Sequence, residues 1–167
     1  DAYNIAIGSN AGVLMTTGAY NTIIGGLAGD ALTTGGSNVA IGYAALSAED
    51  GHGKNIAIGH QALLTQNAGA DAYNVAIGYD AGKIVSTGVA NILIGGYAGV
   101  LLTTGAGNVA IGRSALGSEN AHGRNVAIGY LALNAQDAGV DAYNVAVGYE
   151  TGMTISTGTN NTFLGTR

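Results

Sequence analysis

The tenfold recurrence of one five-residue motif constrains this chain more than any other feature. The motif is Asn-x-x-x-Gly, and its copies begin at Asn4, Asn21, Asn38, Asn55, Asn74, Asn91, Asn108, Asn125, Asn144 and Asn161. The spacing is constant, except that the steps from Asn55 to Asn74 and from Asn125 to Asn144 are each longer by two. A fixed period of this size is typical of a solenoid, in which each repeat forms one coil and packs only on its neighbours.

The repeat is itself duplicated at a second level. Four motifs make one super-repeat, and the sequence Asp-Ala-Tyr-Asn opens residues 1–70, 71–140 and the partial copy 141–167. We therefore predict a single repeat domain over 1–167. We expect it to be a segment or subunit of a longer fibre.

The motif predicts an all-β fold. Its three central residues are mostly Ile, Val and Ala, which suits a short strand, and 30 glycines in 167 residues leave no room for a helix. The apolar stretches 12–18 and 99–105 predict a second, weaker strand in each coil. The sequence thus predicts a parallel β-solenoid, a flattened β-roll of about ten coils. The two added residues of each longer coil, before Asn74 and Asn144, are expected to form a protruding turn that leaves the strand register unchanged.

Side-chain alternation assigns the two faces of the motif strand. If the first and third central residues point into the coil, the second points outward. This second residue is never polar, and a strand that is apolar on both faces is normally buried on both. We therefore expect this row to form an interface with another copy of the chain: Ala6, Ile23, Ala40, Ala57, Ala76, Leu93, Ala110, Ala127, Ala146 and Phe163. The ten motif asparagines are expected to form a structural ladder of hydrogen bonds along the axis.

Composition argues against several functional classes. Only 9% of the residues are charged and the net charge is −5, so no basic patch suits a nucleic acid. No apolar run approaches the roughly 18 residues of a membrane span. No catalytic motif is present, and we expect no enzyme activity, although a pair of carboxylates between chains would remain an alternative. We also expect no cofactor and no metal site: His52 and His122 are separated by a whole super-repeat, and we interpret them as exposed loop residues.

One row of residues offers a candidate ligand surface. Tyr43, Tyr79, Tyr130 and Tyr149 each follow a motif glycine, with His60 and Arg113 in the same row. Aromatic rings along a solenoid could stack sugars or bind a matrix protein, and the alternative is that they cover strand edges. Threonine pairs such as Thr16–Thr17 and Thr33–Thr34 would suit ice binding, but they are missing from two coils in every four.

The repeated Asn-Val-Ala-Ile-Gly unit resembles the head repeats of YadA-like trimeric autotransporter adhesins. It is also similar to Gly-rich repeats of some phage tail fibres. The resemblance covers the whole chain, through the motif at Asn4–Gly8 and its nine further copies. It implies a homotrimer of left-handed parallel β-rolls, with the repeated strand near the three-fold axis.

Together these features predict a non-enzymatic structural or adhesive fibre segment of a surface adhesin or phage tail fibre. The alternative is a subunit of a self-assembling extracellular filament. The expected partners are copies of the chain itself, as a homotrimer or an end-to-end polymer, and a host-surface glycan or matrix protein. We expect an extracellular location, on a cell surface, filament or virion, with no nucleic acid bound and no insertion of this segment into a membrane.

Overall fold

The protein is a parallel β-solenoid of about nine turns. The computed structural model describes residues 2–167, so the first residue of the first super-repeat lies outside the described residues. Each strand has three residues: β1 Ile5–Ile7, β2 Thr22–Ile24, β3 Val39–Ile41, β4 Ile56–Ile58, β5 Val75–Ile77, β6 Ile92–Ile94, β7 Val109–Ile111, β8 Val126–Ile128, β9 Val145–Val147 and β10 Thr162–Leu164. They form one sheet in chain order, and residues 2–167 contain no helix. The predicted fold class is confirmed.

The strand register is constant along the stack, including across the longer coils. Ala57 pairs with Ala76 between β4 and β5, although the chain between them carries the two added residues. These residues fall in a turn whose members 69–71 are exposed, and a Cβ built on Gly69 meets no atom within 4 Å. The prediction of a protruding turn with unchanged register is therefore confirmed.

The predicted second strand is wrong. Across 2–167, each coil has only the motif strand, and the stretches 12–18 and 99–105 form turns and bends. The physical reason lies in the backbone: Gly12 and Gly99 have φ of 56° and 55°, in the left-handed region that no strand can accommodate. The rest of the coil is therefore a chain of tight turns, and backbone hydrogen bonds to the adjacent coils hold it in place.

The two faces of the motif strand are reversed relative to the sequence prediction. The second central residue points into the coil. Within the single chain its side chain is fully buried in most copies, namely Ile23, Ala40, Ala57, Ala76, Leu93, Ala110, Ala127 and Ala146. Phe163 packs partly buried against the same core, and Ala6 is exposed in the first coil. The expectation that this row forms an oligomer interface is corrected, because the row is the core of the solenoid itself.

Side-chain volume explains why this row faces inward. The interior is narrow, so alanine fills it in most coils, while a bulky residue is accommodated where the adjacent turn has glycine. Cβ atoms built on Gly12 and Gly29 would lie 3.1 and 3.4 Å from Cδ1 of Ile23, and one on Gly82 would lie 2.6 Å from Cδ1 of Leu93. In four of the coils that carry alanine, a leucine occupies the turn position instead and is fully buried: Leu46, Leu63, Leu116 and Leu133.

Candidate functional surfaces

The motif asparagines form a continuous hydrogen-bonded ladder. In each step the Oδ1 of one asparagine accepts the backbone N–H of the next, as from Asn38 to Asn21 at 2.9 Å. The Nδ2 donates to a carbonyl further along the coil, as from Asn21 to Gly35 at 2.9 Å. The same Oδ1 contact crosses both longer coils, to Asn74 and to Asn144. Eight of the ten asparagines are buried, so the ladder holds each coil to the next from inside.

The ladder is incomplete only in the two longer coils, as far as residues 2–167 show. The Nδ2 atoms of Asn55 and Asn125 are buried without a hydrogen-bond partner. In the other coils, Nδ2 donates to the carbonyl of a residue at a fixed separation along the chain. In the two longer coils the residues at that separation are Gly69 and Gly139, which lie in the turns formed by the added residues. The insertion therefore carries the usual carbonyl acceptor away from each amide.

The outward residues of the ten strands form a strip that is apolar except for two threonines, here called the outer Ile/Val face. Its members are the first and third central residues of each motif: Ile5, Ile7, Thr22, Ile24, Val39, Ile41, Ile56, Ile58, Val75, Ile77, Ile92, Ile94, Val109, Ile111, Val126, Ile128, Val145, Val147, Thr162 and Leu164. Every one is half-buried or exposed, and none is charged. At about 4.8 Å per strand the face runs for about 43 Å, two side chains wide.

An aromatic column borders one edge of this face. The rings of Tyr43, His60 and Tyr79 stack at centroid distances of 5.4 and 4.8 Å. The Arg113 guanidinium lies 6.0 Å from the Tyr97 ring and 5.8 Å from the Tyr130 ring. A final stack joins Tyr130 to Tyr149 at 5.2 Å.

The column places all four predicted tyrosines on one ridge, where Tyr43, Tyr79 and Tyr149 are exposed and Tyr130 is half-buried. The rings of Tyr43, His60 and Tyr79 cover one another's faces, and so do those of Tyr130 and Tyr149, whereas the Tyr97 ring is tilted by 59° against Tyr79. Stacking against a sugar requires a free ring face, so this ridge is better suited to edge contacts and to hydrogen bonds from the tyrosine hydroxyls.

A second border lies at the residue before each motif asparagine. Tyr3 stacks on Tyr20 at 5.5 Å. Beside the longer coils a cation lies over a tyrosine: Lys54 Nζ is 5.0 Å from the ring centroid of Tyr73, and it forms a 2.6 Å ion pair with Asp71. The matching Arg124, Tyr143 and Asp141 repeat this arrangement. The outer Ile/Val face is thus flanked by aromatic and charged residues on both sides.

The coil also contains two buried polar clusters, one in each super-repeat. The side chains of Glu49 and Glu119 are fully buried in positions that apolar residues such as Leu32 occupy in other coils. Burial raises the pKa of both carboxyls above the ordinary value, because the charged form loses its hydration. Each Oε1 accepts the backbone N–H of the following histidine, at 3.1 Å for His52 and 3.2 Å for His122.

Sequence reasoning missed these clusters because it placed the histidines in exposed loops. The side chains of His52 and His122 are only 36% and 31% exposed, and each lies beside a buried glutamate. The sequence feature that could have revealed the clusters is the spacing Glu-x-x-His, which recurs at 49–52 and 119–122.

Comparisons of the chain with models of known protein families, with curated proteins and with solved structures gave no match. Nothing in the described part of the chain forms a helix that is long and apolar enough to cross a membrane.

Proposed function

We propose that this chain is a stiff, non-enzymatic segment of an extracellular structural or adhesive fibre, of the kind found in surface adhesins and phage tail fibres. In this proposal it assembles as a homotrimer through the outer Ile/Val face. The observation that carries the proposal is the face itself, a charge-free apolar strip that runs the full length of a rigid, hydrogen-bonded stack.

A second copy of the same chain is the occupant that best fits this face. The strip has a corrugation of about 4.8 Å set by strand spacing, and another copy of the solenoid has the same spacing. A face without charge cannot select a charged partner, whereas its apolar centre and polar, aromatic borders resemble the anatomy of protein–protein interfaces.

The shape of the strip and the resemblance to adhesin heads both support a three-fold arrangement. A strip two side chains wide and ten strands long suits a central seam between three parallel copies. The aromatic column, with Tyr43, Tyr79, Tyr130 and Tyr149, would then lie towards the outside of the fibre. There it is the candidate surface for a host glycan or a matrix protein.

Sedimentation of a variant with two lysines on the outer face tests the proposal. Ile58→Lys and Ile111→Lys place cations on the strip, where like charges would meet across the seam without entering the coil interior. The expected change is from about three times the chain mass of 16.4 kDa to the mass of one chain, with the β circular-dichroism spectrum retained. Val140→Lys is the control, because this side chain is 55% exposed in the protruding turn of a longer coil, and its mass should equal that of the wild type.

Two results would contradict the proposed assembly. One is a wild-type protein that sediments as a single chain at high concentration. The other is a lysine variant that keeps the wild-type mass.

The alternative, a subunit of a self-assembling filament, is distinguished by the same experiment. A trimer gives one discrete mass that does not grow with concentration. End-to-end polymerisation through the edges of β1 and β10, each of which has a single neighbour in the sheet, gives a mass that does grow.

A further inference from the structure

We propose that each super-repeat carries a binding site for a divalent transition-metal ion, formed by a buried glutamate, a half-buried histidine and an aspartate. The first site comprises Glu49, Asp50 and His52, and the second Glu119, His122 and Asp137. In each set, one ligand atom from every residue lies within 4.8 Å of the others.

The geometry of the two sites is nearly the same. Glu49 Oε1 lies 3.8 Å from His52 Nδ1, and Glu119 Oε1 lies 3.9 Å from His122 Nδ1. Two ligands held at about 2.1 Å by one tetrahedral ion are roughly 3.4 Å apart. Small rotations of the half-buried histidine and the exposed aspartate therefore bring all three groups to coordination distance, while the glutamate stays fixed in the core.

Unpartnered buried polar atoms in each cluster point to a cation as the ligand. One oxygen of each glutamate is fixed by the histidine N–H, but Oε2 of Glu49 and of Glu119 is buried and has no hydrogen-bond partner. The Nδ1 atoms of His52 and His122 are likewise buried and unpartnered. A buried carboxylate and a buried imidazole nitrogen are costly when neither is satisfied, and a cation between them satisfies both.

Each site contains one aspartate, but the two super-repeats supply it from different coils. The first super-repeat has Asp50 in one coil and Asn67 at the equivalent position of the next coil. The second has Asn120 and Asp137. The carboxylate therefore lies in adjacent coils in the two super-repeats, and in both it belongs to the cluster.

The ligands indicate the class of metal. Carboxylate oxygens together with an imidazole nitrogen suit Zn²⁺, Mn²⁺, Co²⁺ or Ni²⁺, whereas Ca²⁺ and Mg²⁺ favour oxygen ligands alone. Because the aspartates are exposed and the histidine side chains are 36% and 31% exposed, an ion can enter from solvent. Such an ion would tie a turn beside each longer coil to the core and stabilise the fibre where the Asn ladder loses a bond.

Zinc titration of the full chain, first freed of metal with a chelator, tests the sites. Calorimetry should give two Zn²⁺ per chain for the wild type, one for Glu49→Gln, and none for the double variant Glu49→Gln, Glu119→Gln. Glutamine is a suitable replacement because Gln66 and Gln136 are fully buried at the equivalent position of the adjacent coils. The double variant His52→Ala, His122→Ala should likewise bind no Zn²⁺. These side chains are partly exposed, so their removal takes little from the core.

His60→Gln is the matched control, because His60 lies in the aromatic column outside both clusters and Tyr130 replaces it in the second super-repeat. This variant should still bind two ions. The proposal is overturned if the wild type binds less than one ion per chain. It is also overturned if either double variant binds as the wild type does, or if His60→Gln abolishes binding.

Discussion

At the scale of single residues, the coil depends on backbone conformations that few side chains tolerate. The glycine that ends each strand has a φ near +135° and stacks on its counterpart in the next coil. In addition, the residue before each motif asparagine adopts a left-handed conformation even when it is Tyr20, Lys54 or Tyr73. Each such residue is strained by about 1–2 kcal/mol, which the hydrogen bonds between coils must offset.

The strand-end glycines should therefore be the least replaceable residues in the chain. A Cβ built on Gly59, which has φ +138°, would lie 2.2 Å from the carbonyl oxygen of Gly78, so Gly59→Ala has to push two coils apart. We expect a loss of about 3 kcal/mol or more in the free energy of unfolding, measured by urea denaturation. Gly69→Ala is the control, because its φ is +69° and no atom lies within 4 Å, and it should cost only about 1 kcal/mol. Equal losses for the two variants would show that coil spacing is not the constraint.

The buried glutamates predict how stability depends on pH in the metal-free protein. Burial raises the pKa of Glu49 and Glu119 above the ordinary value of 4.5, so the folded state holds these protons more tightly than the unfolded state. Their contribution to stability is therefore fully present below pH 4.5 and is lost as the pH rises through the folded pKa. In chelator at pH 7, the double variant Glu49→Gln, Glu119→Gln should melt at a higher temperature than the wild type.

That difference should shrink as the pH falls, and it should be smallest below pH 4.5, where the glutamates are protonated in both states. A difference in melting temperature that stayed constant with pH would mean that the two carboxylates are not desolvated in the folded state.

At the scale of the strand, hydrophobic pattern was not enough to assign the faces. All three central residues of the motif are apolar in most copies, so alternation could not decide which of them points inward. Side-chain volume determines which residue points inward. The narrow interior accommodates Ala76 and Ala110, and it accommodates Leu93 only because Gly82 and Gly99 leave space.

The features that could be predicted from the sequence are those that depend on period. The fixed spacing of the motif asparagines determines the ten strands, their register and the position of the protruding turns. The second strand could not be excluded, because its residues favour a strand and only the left-handed backbone at Gly12 and Gly99 prevents one. The period places Asp137 one coil beyond Asn120, next to Glu119, but it does not show that the glutamate side chain turns into the core.

At the scale of the whole molecule, the solenoid is a one-dimensional stack. Each strand contacts only the strands before and after it, so stability is close to a sum of coils and of interfaces between neighbours. The super-repeat is the repeating unit of this stack, because residues 71–140 contain the same order of coil lengths as residues 1–70.

Deletion of residues 71–140 tests whether the molecule is modular at this scale. The deletion moves Asn144 into the place that Asn74 holds after Asn55, which is the spacing of a natural longer coil, so β4 can pair with β9 in register. We expect a chain that still unfolds cooperatively and keeps its β spectrum, and that is shorter by four coils, or about 19 Å, in small-angle scattering. Deletion of 81–140 is the control: it leaves too little chain between Asn74 and Asn144 to close a coil, and should disrupt the stack at that point. If the two deletions were equally stable, the coil period would not be what holds the fibre in register.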